Sequence, residues 1–133
     1  MARQIFVNLP VKDLENSMRF FTGLDFSFDS QFTDENAACM VVTDDIYVML
    51  LTEPFFKTFT RKDLVDARKG TEVLVALAVD SRHQVDALVD KALETGGQSA
   101  RDPDDQGFMY TRSFEDLDGH IWEIFWMDES AIH

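Results

Sequence analysis

The segment VNLPV at residues 7–11 has the same apolar pattern as VALAV at residues 75–79. Each copy is followed by apolar residues at helical spacing, then by glycine and three short apolar runs. Both halves therefore show the order strand, helix, strand, strand, strand. This internal repeat predicts a fold built from two copies of one βαβββ module.

The predicted modules cover residues 1–52 and 72–133, joined by a connecting segment at residues 53–71. A module of this size, with one helix on one face of its sheet, leaves the other face unburied. We therefore expect the two modules to pair as a single domain. Their sheets are expected to curve around a cleft, where a binding site would lie.

Local signals mark where the elements begin and end. The first strand is predicted over residues 5–11, with Asp13 as the N-cap of the following helix and Gly23 at its end. In the second half, residues 81–95 are predicted to form a helix.

The connecting segment belongs to neither copy of the repeat. It contains Phe55, Phe56 and Phe59, and a short helix is predicted over residues 61–68. The aromatic residues are expected to cover a core edge or a partner subunit, and a hydrophobic lid over the cleft is the alternative.

The chain is acidic, with 12 Lys and Arg against 25 Asp and Glu among 133 residues, for a formal charge of −13. Such a charge argues against binding to nucleic acid or to anionic membranes, both of which depend on cationic side chains. It is compatible with a small-molecule pocket and slightly favours cationic ligands. A hydrophobic content of 45% excludes a disordered acidic linker.

The single cysteine, Cys39, cannot form an intramolecular disulfide. No signal peptide and no apolar run of membrane-spanning length is evident in the sequence. These features predict a cytoplasmic protein.

Two motifs resemble the vicinal oxygen chelate superfamily, which includes glyoxalases, bleomycin-resistance proteins and extradiol dioxygenases. The segment LPVKDLENSMRFF at residues 9–21 is similar to its opening motif, and EDLDGHIWEI at residues 115–124 to its closing motif. Leu117 stands where the closing motif usually has proline. The resemblance implies an α+β fold in which two βαβββ modules form a curved mixed sheet around a cleft.

The resemblance also implies where metal ligands would lie. Metal-dependent members use His and Glu on strands that face the cleft. Here the matching positions fall on Phe6, near Leu50 with Met49 beside it, on Leu74, and on Glu123. Three of these four positions carry apolar side chains, and carbon cannot coordinate a metal ion. We therefore expect neither a metal ion nor another cofactor.

An oxygen-rich site is the alternative for a cation. Asn8 is expected to share a face with Phe6, and Glu72 with Leu74. A site made by Asn8, Glu72 and Glu123 would suit Mg²⁺ or Mn²⁺ better than zinc or iron.

Glu123 is the candidate catalytic or anchoring residue, because a carboxylate between Ile121 and Phe125 would lie in an apolar groove. The alternative is a structural acid paired with an arginine. Tyr110 and Arg112 are candidate ligand-binding residues of a late strand, with Arg112 expected to pair with Glu123 or with an anionic ligand.

The function predicted first is metal-free binding of a small molecule by an apolar, acidic cleft lined by Phe6, Asn8, Leu50 and Leu74 together with Tyr110, Arg112 and Glu123. The alternatives are a metal-dependent lyase or dioxygenase of the same superfamily, similar to lactoylglutathione lyase, and a metal-free enzyme with Glu123 as base. A homodimer is expected, as is common in this superfamily.

Overall fold

The computed structural model describes residues 3–132, apart from the side chains of residues 131 and 132. The chain divides into two compact units between Val65 and Asp66. Each unit consists of one mixed β-sheet with one long helix against it, so the fold is α+β, as predicted.

The first unit contains four strands and two helices. They are β1 (Ile5–Val11), α1 (Leu14–Gly23), β2 (Ser27–Asp29), β3 (Ala37–Val41), β4 (Ile46–Thr52) and α2 (Glu53–Lys57). The second unit contains five strands and one helix. They are β5 (Leu74–Ala78), α3 (Arg82–Glu94), β6 (Gln98–Ser99), β7 (Asp104–Asp105), β8 (Met109–Glu115) and β9 (Ile121–Met127).

The two sheets have the same topology, which confirms the repeat. The strand orders are β1-β4-β3-β2 and β5-β9-β8-β6, and β7 pairs with β8 beside β6. In each sheet the first strand runs parallel to the last strand, which is antiparallel to the strand before it. The crossover that a parallel pair requires is supplied in part by the helix that follows the first strand.

Each long helix begins at a capping side chain. The Asp13 carboxylate accepts a hydrogen bond from the backbone N–H of Asn16 at 3.0 Å, and the Ser81 hydroxyl accepts one from Gln84 at 3.1 Å. These contacts satisfy amide groups that have no partner within the helix, so both helices begin where the sequence predicts.

The core of each unit lies between its helix and one face of its sheet. In the first unit this face consists of residues buried by at least nine-tenths, among them Leu9, Val11, Met40, Val48 and Leu50. In the second unit Phe114, Trp122 and Ile124 occupy the corresponding positions and pack with α3 through Val85, Val89 and Ala92. Trp122 is therefore a core residue.

The connecting segment differs from its prediction, because residues 61–68 form turns and irregular structure instead of a helix. A helical turn occurs earlier, at α2, where Pro54 occupies the first turn and Phe55 and Phe56 follow. Proline is well tolerated at this point because its missing N–H would have no helical partner. α2 contacts β1 and β4, which supports the interpretation that Phe55 and Phe56 cover a core edge, whereas Phe59 lies beyond the helix and is exposed.

The turn between β8 and β9 is built around a buried carboxylate. Asp116 accepts hydrogen bonds from the backbone N–H groups of Asp118 and His120, each at 3.0 Å, and from Trp122 Nε1 at 3.1 Å. Burial raises the pKa of Asp116, and these donors oppose the increase. Gly119, with φ of 94°, completes the turn. Asp116 is thus a structural residue of the turn.

Candidate functional site

The face of each sheet that lies opposite its long helix is called the open face below. On the second sheet, Glu123 lies at the centre of this face, on β9. Its neighbours in register are Ala76 on β5 and Ser113 on β8. The adjacent residues Trp122 and Ile124 point toward α3, because side chains alternate along a strand.

Arg101 forms an ion pair with Glu123. Its Nη2 lies 3.1 Å from Glu123 Oε1, and its Nε donates a hydrogen bond to the same oxygen at 3.2 Å. The Glu123 side chain is 15% exposed and the Arg101 side chain 47% exposed. The pair is therefore reachable from solvent on the arginine side, while the carboxylate is largely enclosed.

Two oxygen atoms of this face are buried without a hydrogen-bond partner in the part of the chain that the structure describes. They are Glu123 Oε2 and Ser113 Oγ. The two residues lie directly opposite each other on antiparallel strands, where Cβ atoms are roughly 5 Å apart. Leaving a buried polar atom unsatisfied costs about 1–3 kcal/mol, so a ligand that supplied a partner would recover that free energy.

Apolar side chains flank this polar centre on β9 and β5, whereas on β8 the same face carries Thr111 and Glu115 on either side of Ser113. Ile121 and Phe125 flank Glu123 along β9, and Leu74 lies opposite Ile121 on β5 with 56% of its surface exposed. Ala76 lies beside Glu123 and contributes only a methyl group. The open face therefore offers a carboxylate and a hydroxyl beside an apolar patch formed by β9 and β5.

Tyr110 and Arg112 lie on the opposite face, which α3 covers. The Tyr110 hydroxyl donates to Asp86 Oδ1 at 2.6 Å, and Arg112 Nη1 contacts Asp86 at 3.0 Å and Asp90 at 2.8 Å. This corrects the expectation that Arg112 pairs with Glu123. The two residues are in register with Trp126 and Ile124, whereas Glu123 points to the other side of the sheet.

These contacts perturb the ionisation of the pair formed by Asp86 and Tyr110. The hydrogen bond from Tyr110, together with Arg112, lowers the pKa of Asp86, while the same hydrogen bond raises the pKa of Tyr110. Arg82 stacks over the Tyr110 ring at 4.5 Å and pairs with Asp105. These contacts hold α3 against β8, so we assign the cluster a structural role.

The open face of the first sheet carries aromatic and sulfur-containing side chains together with Asn8, and Asp29 of β2 lies in register with Cys39. Phe6 stacks on Tyr47 with ring centroids 4.7 Å apart, and Asn8 donates a long hydrogen bond, 3.4 Å, to the Phe6 carbonyl oxygen. Met49 and Cys39 lie beside Asn8 and are in register with each other. Burial and the charge of Asp29 raise the pKa of the Cys39 thiol, which makes it a poor nucleophile.

Leu50 does not share the open face with Phe6. It is fully buried on the helix face, in register with Leu9 and Ala38. The register shows that Met49 is the β4 residue of the open face. The prediction that placed the ligand position near Leu50 is therefore corrected by one residue, which in a strand reverses the face.

Sequence reasoning did not identify Arg101 or Ser113 as site residues. Arg101 follows a strand of only two residues, so no alternation reveals its direction. Ser113 was detectable in principle, because it alternates with Arg112 and Phe114 in β8. Its position opposite Glu123 required the strand register.

A family model described as the Glyoxalase/Bleomycin resistance protein/Dioxygenase superfamily matches residues 3–124. The chain belongs to this superfamily. A comparison with curated proteins finds no significant match.

Solved structures of similar fold cover nearly all of this superfamily member. A hypothetical protein from S. aureus is 29% identical with a TM-score of 0.79, and 95% of each chain is covered. A glyoxalase-related enzyme from Fulvimarina pelagi is 21% identical with a TM-score of 0.79, covering 95% of this chain and 88% of its own. A fosfomycin resistance protein from Mesorhizobium loti is 16% identical with a TM-score of 0.65, covering 100% and 97%. The last two likenesses show the fold alone.

The donor set does not fit the metal ion that some superfamily members bind. The open-face positions corresponding to the implied ligands hold Phe6 and Met49 in the first unit, and Leu74 and Glu123 in the second. Only Glu123 offers a strong donor there, and Arg101 already contacts it. Within residues 3–132, no three His, Cys, Asp or Glu residues are grouped closely enough to hold a metal ion.

The alternative oxygen site is also limited. Asn8 belongs to the first unit, whereas Glu72 and Glu123 belong to the second. Glu72 is exposed and precedes β5, so the strand does not direct its side chain onto the open face. No helix in the described part of the chain is long and apolar enough to span a membrane.

Proposed function

We propose that this superfamily member binds a small organic molecule on the open face of its second sheet, with Glu123 as the anchor and without a metal ion. One observation carries the proposal: Glu123 Oε2 and Ser113 Oγ are buried opposite each other and make no hydrogen bond in the described chain. Buried polar atoms are normally satisfied, and unsatisfied ones often mark a place where another molecule supplies the partner.

The surroundings support a ligand with an apolar part. Leu74, Ile121 and Phe125 form an apolar rim around Glu123, and small-molecule sites typically combine such a rim with a few polar groups. The charge of Glu123 is balanced by Arg101, so the site does not require a free cation. A molecule that donates a hydrogen bond from an apolar framework would satisfy both requirements.

A second candidate function uses the same oxygen for catalysis. A carboxylate oxygen that accepts no hydrogen bond is free to take a proton from a bound carbonyl compound. Glu123 would then be the base of a metal-free enzyme. A metal-dependent lyase or dioxygenase of the glyoxalase type remains the third possibility, and the experiment below separates it from the others.

Binding is tested by calorimetry and thermal shift with benzylamine and acetophenone. Each compound is measured with purified protein after chelation and again with added Zn²⁺, Ni²⁺, Mn²⁺ or Fe²⁺. We expect benzylamine, which carries a hydrogen-bond donor, to bind without metal and to be weakened at least about tenfold by Glu123→Gln, because the amide presents a donor in place of one acceptor. Acetophenone carries no donor and serves as the carbonyl compound that tests the catalytic alternative. Glu94→Gln, an exposed change on α3, is the matched control and leaves affinity unchanged.

Three results would contradict the proposal. Binding of one metal ion per chain that is lost in Glu123→Gln would favour the metal-dependent enzyme. Exchange of the acetophenone methyl protons with deuterated water, lost in Glu123→Gln, would favour the metal-free enzyme. An affinity that Glu123→Gln leaves unchanged would show that the ligand binds at another site.

We also propose that the chain forms a homodimer in the cytoplasm. Ile5 and Phe6 on edge strand β1, and Ile46 beside them on β4, are exposed apolar side chains that an interface would cover. Light scattering during size-exclusion chromatography would test this state, and a monomer at micromolar concentration would contradict it. The lone buried thiol of Cys39 is consistent with a reducing compartment.

A further inference from the structure

We propose that Arg101, Glu123 and Ser113 together recognise a small carboxylic acid that carries a hydroxyl or amino group on the carbon next to its carboxylate. This inference rests on the proposed binding function and names the chemical class of its ligand. It follows from the distribution of donors and acceptors that the ion pair leaves unused.

The acceptor half of the site consists of Glu123 Oε2 and Ser113 Oγ. Both atoms are buried and unpartnered in the described chain, and their residues are directly opposite in the strand register. Ser113 is 3% exposed, so bulk solvent cannot satisfy its hydroxyl. Once the side chains above them move aside, a ligand hydroxyl or ammonium group lying over this strand pair can donate to Glu123 Oε2 and contact Ser113 Oγ at once.

The donor half is the outer side of Arg101. Its guanidinium uses Nε and Nη2 on Glu123 Oε1 and makes no other hydrogen bond or ion pair with the residues described. Because the side chain is 47% exposed, the remaining N–H groups are available to a molecule on the same face. A guanidinium binds a carboxylate through two parallel hydrogen bonds, which makes a carboxylate its preferred partner.

Charge balance separates this class from simpler ligands. The Arg101–Glu123 pair is neutral overall, so an amine without a carboxylate would meet the arginine charge. A carboxylate without an adjacent donor would leave Glu123 Oε2 and Ser113 Oγ unsatisfied. A ligand with both groups satisfies the two halves of the site together, and because Arg101 and Oε2 meet at a single carboxylate, the two groups lie close together on that ligand.

The rim defines the rest of the ligand. Ile121 and Phe125 lie on either side of Glu123, with Leu74 opposite Ile121, and none of them offers a polar side chain. An apolar substituent on the same carbon, such as a phenyl ring, would cover these side chains and bury apolar surface. Mandelate, which combines a phenyl ring, a hydroxyl and a carboxylate, is therefore a suitable probe.

The first measurement is calorimetric binding of mandelate and phenylglycine, compared with phenylacetate, which lacks the α-donor, and benzyl alcohol, which lacks the carboxylate. We expect mandelate or phenylglycine to bind at least about tenfold more tightly than either truncated compound. Raising the salt concentration should strengthen binding of the anionic mandelate and leave that of zwitterionic phenylglycine nearly unchanged, because salt screens the net charge of −13.

Variants assign each half of the ligand to its residue. Arg101→Gln should weaken the affinity for mandelate about tenfold and leave the affinity for benzyl alcohol unchanged, because only mandelate contacts the guanidinium. Ser113→Ala should weaken the affinity for mandelate several-fold and leave the affinity for phenylacetate unchanged. Arg61→Gln, an exposed change in the connecting segment, is the matched control and should alter neither. Circular dichroism checks that each variant is folded.

The outcomes distinguish this inference from the proposed function. Equal affinity for mandelate and phenylacetate, or no effect of Arg101→Gln on mandelate, would overturn it. If benzylamine or acetophenone binds in a Glu123-dependent manner and the α-substituted acids do not, the ligand class is wrong and the binding function stands. If none of these compounds binds, both fail.

Discussion

The open faces of the two sheets have the same backbone register but different chemistry. Met49 occupies in the first unit the position of Glu123 in the second, and Cys39 occupies that of Ser113. The first face carries a thioether and a thiol, whereas the second carries a carboxylate and a hydroxyl. The repeated scaffold therefore sets the positions, and a few side chains decide which face can recognise a polar ligand.

The turns that lead into the last strands differ in the same way. In the first unit the turn before β4 is exposed, and the Thr43 hydroxyl accepts one hydrogen bond from the Asp45 N–H. In the second unit the buried carboxylate of Asp116 accepts three hydrogen bonds. The second turn is thus fixed by side-chain chemistry that positions β9, the strand that carries Glu123.

The largest expected effect comes from removing that carboxylate. Asp116→Ala would leave three N–H donors without their acceptor, and we expect a loss of about 3 kcal/mol or more in the free energy of unfolding. Urea denaturation followed by tryptophan fluorescence measures it, because both tryptophans lie in the second unit. Asp45→Ala in the exposed turn is the control, with a loss below about 0.5 kcal/mol. A change under about 1 kcal/mol for Asp116→Ala would show that water replaces the carboxylate.

Exchanging the central residues tests whether the two faces differ as the contacts indicate. Met49→Glu would put a charge on a face whose strand positions in β1, β3 and β4 include no lysine or arginine, and we expect a loss of about 2 kcal/mol. Glu123→Met should change stability by less than about 1 kcal/mol, because Arg101 is half exposed and can return to solvent.

The exchange requires a probe in each unit. Thiol labelling of buried Cys39 in increasing urea reports the first unit, and tryptophan fluorescence reports the second. Equal stability of Met49→Glu and the unchanged protein would mean that the first open face accommodates a carboxylate as readily as the second.

A smaller effect is expected from exchanging the thiol and the hydroxyl. Ser113→Cys removes an unpartnered buried hydroxyl and should stabilise the protein by about 1 kcal/mol. Cys39→Ser introduces such a hydroxyl into an apolar setting and should destabilise it by a similar amount. Thermal unfolding monitored by circular dichroism measures both changes, and effects of the same sign in the two units would contradict the comparison.

The smallest effect concerns the helix face of the second sheet. The pKa of Asp86 is lowered by Tyr110 and Arg112, so its stabilisation is present above the ordinary aspartate pKa and is lost as pH falls through the lowered value. Because Asp86 is nearly half exposed, we expect Asp86→Asn to cost at most about 1 kcal/mol at neutral pH. The difference in unfolding free energy should shrink as the pH falls below the ordinary pKa of aspartate, and a difference that stays constant across that range would refute the assignment.

Much of the fold was predictable from local pattern. The alternation of residues 5–11, the cap at Asp13 and the repeat at residues 75–79 gave the elements and their order, because side-chain periodicity and capping act over a few residues. The prediction of a helix over residues 61–68 was wrong, because these residues form turns and irregular structure. The helical turn of this segment lies earlier, at α2, which contains Pro54.

The candidate site was predictable only in part. Glu123 stood out because a carboxylate between Ile121 and Phe125 is unusual in an apolar strand. Its partners did not, because register between strands distant in sequence brings Ser113 opposite it, and an irregular segment brings Arg101 to it. The sequence does not reveal strand register, and for the same reason the ligand position of the first unit was predicted near Leu50 instead of at Met49.

The sequence by itself determined that this protein is a duplicated βαβββ chain of the glyoxalase superfamily, because turn, cap and alternation signals are local. Only the tertiary structure decided that Arg101 and not Arg112 balances Glu123, and that one carboxylate oxygen and one hydroxyl have no hydrogen-bond partner among the described residues. The physical reason is that the face and the partner of a side chain depend on long-range strand register, in which a shift of one residue reverses every side chain.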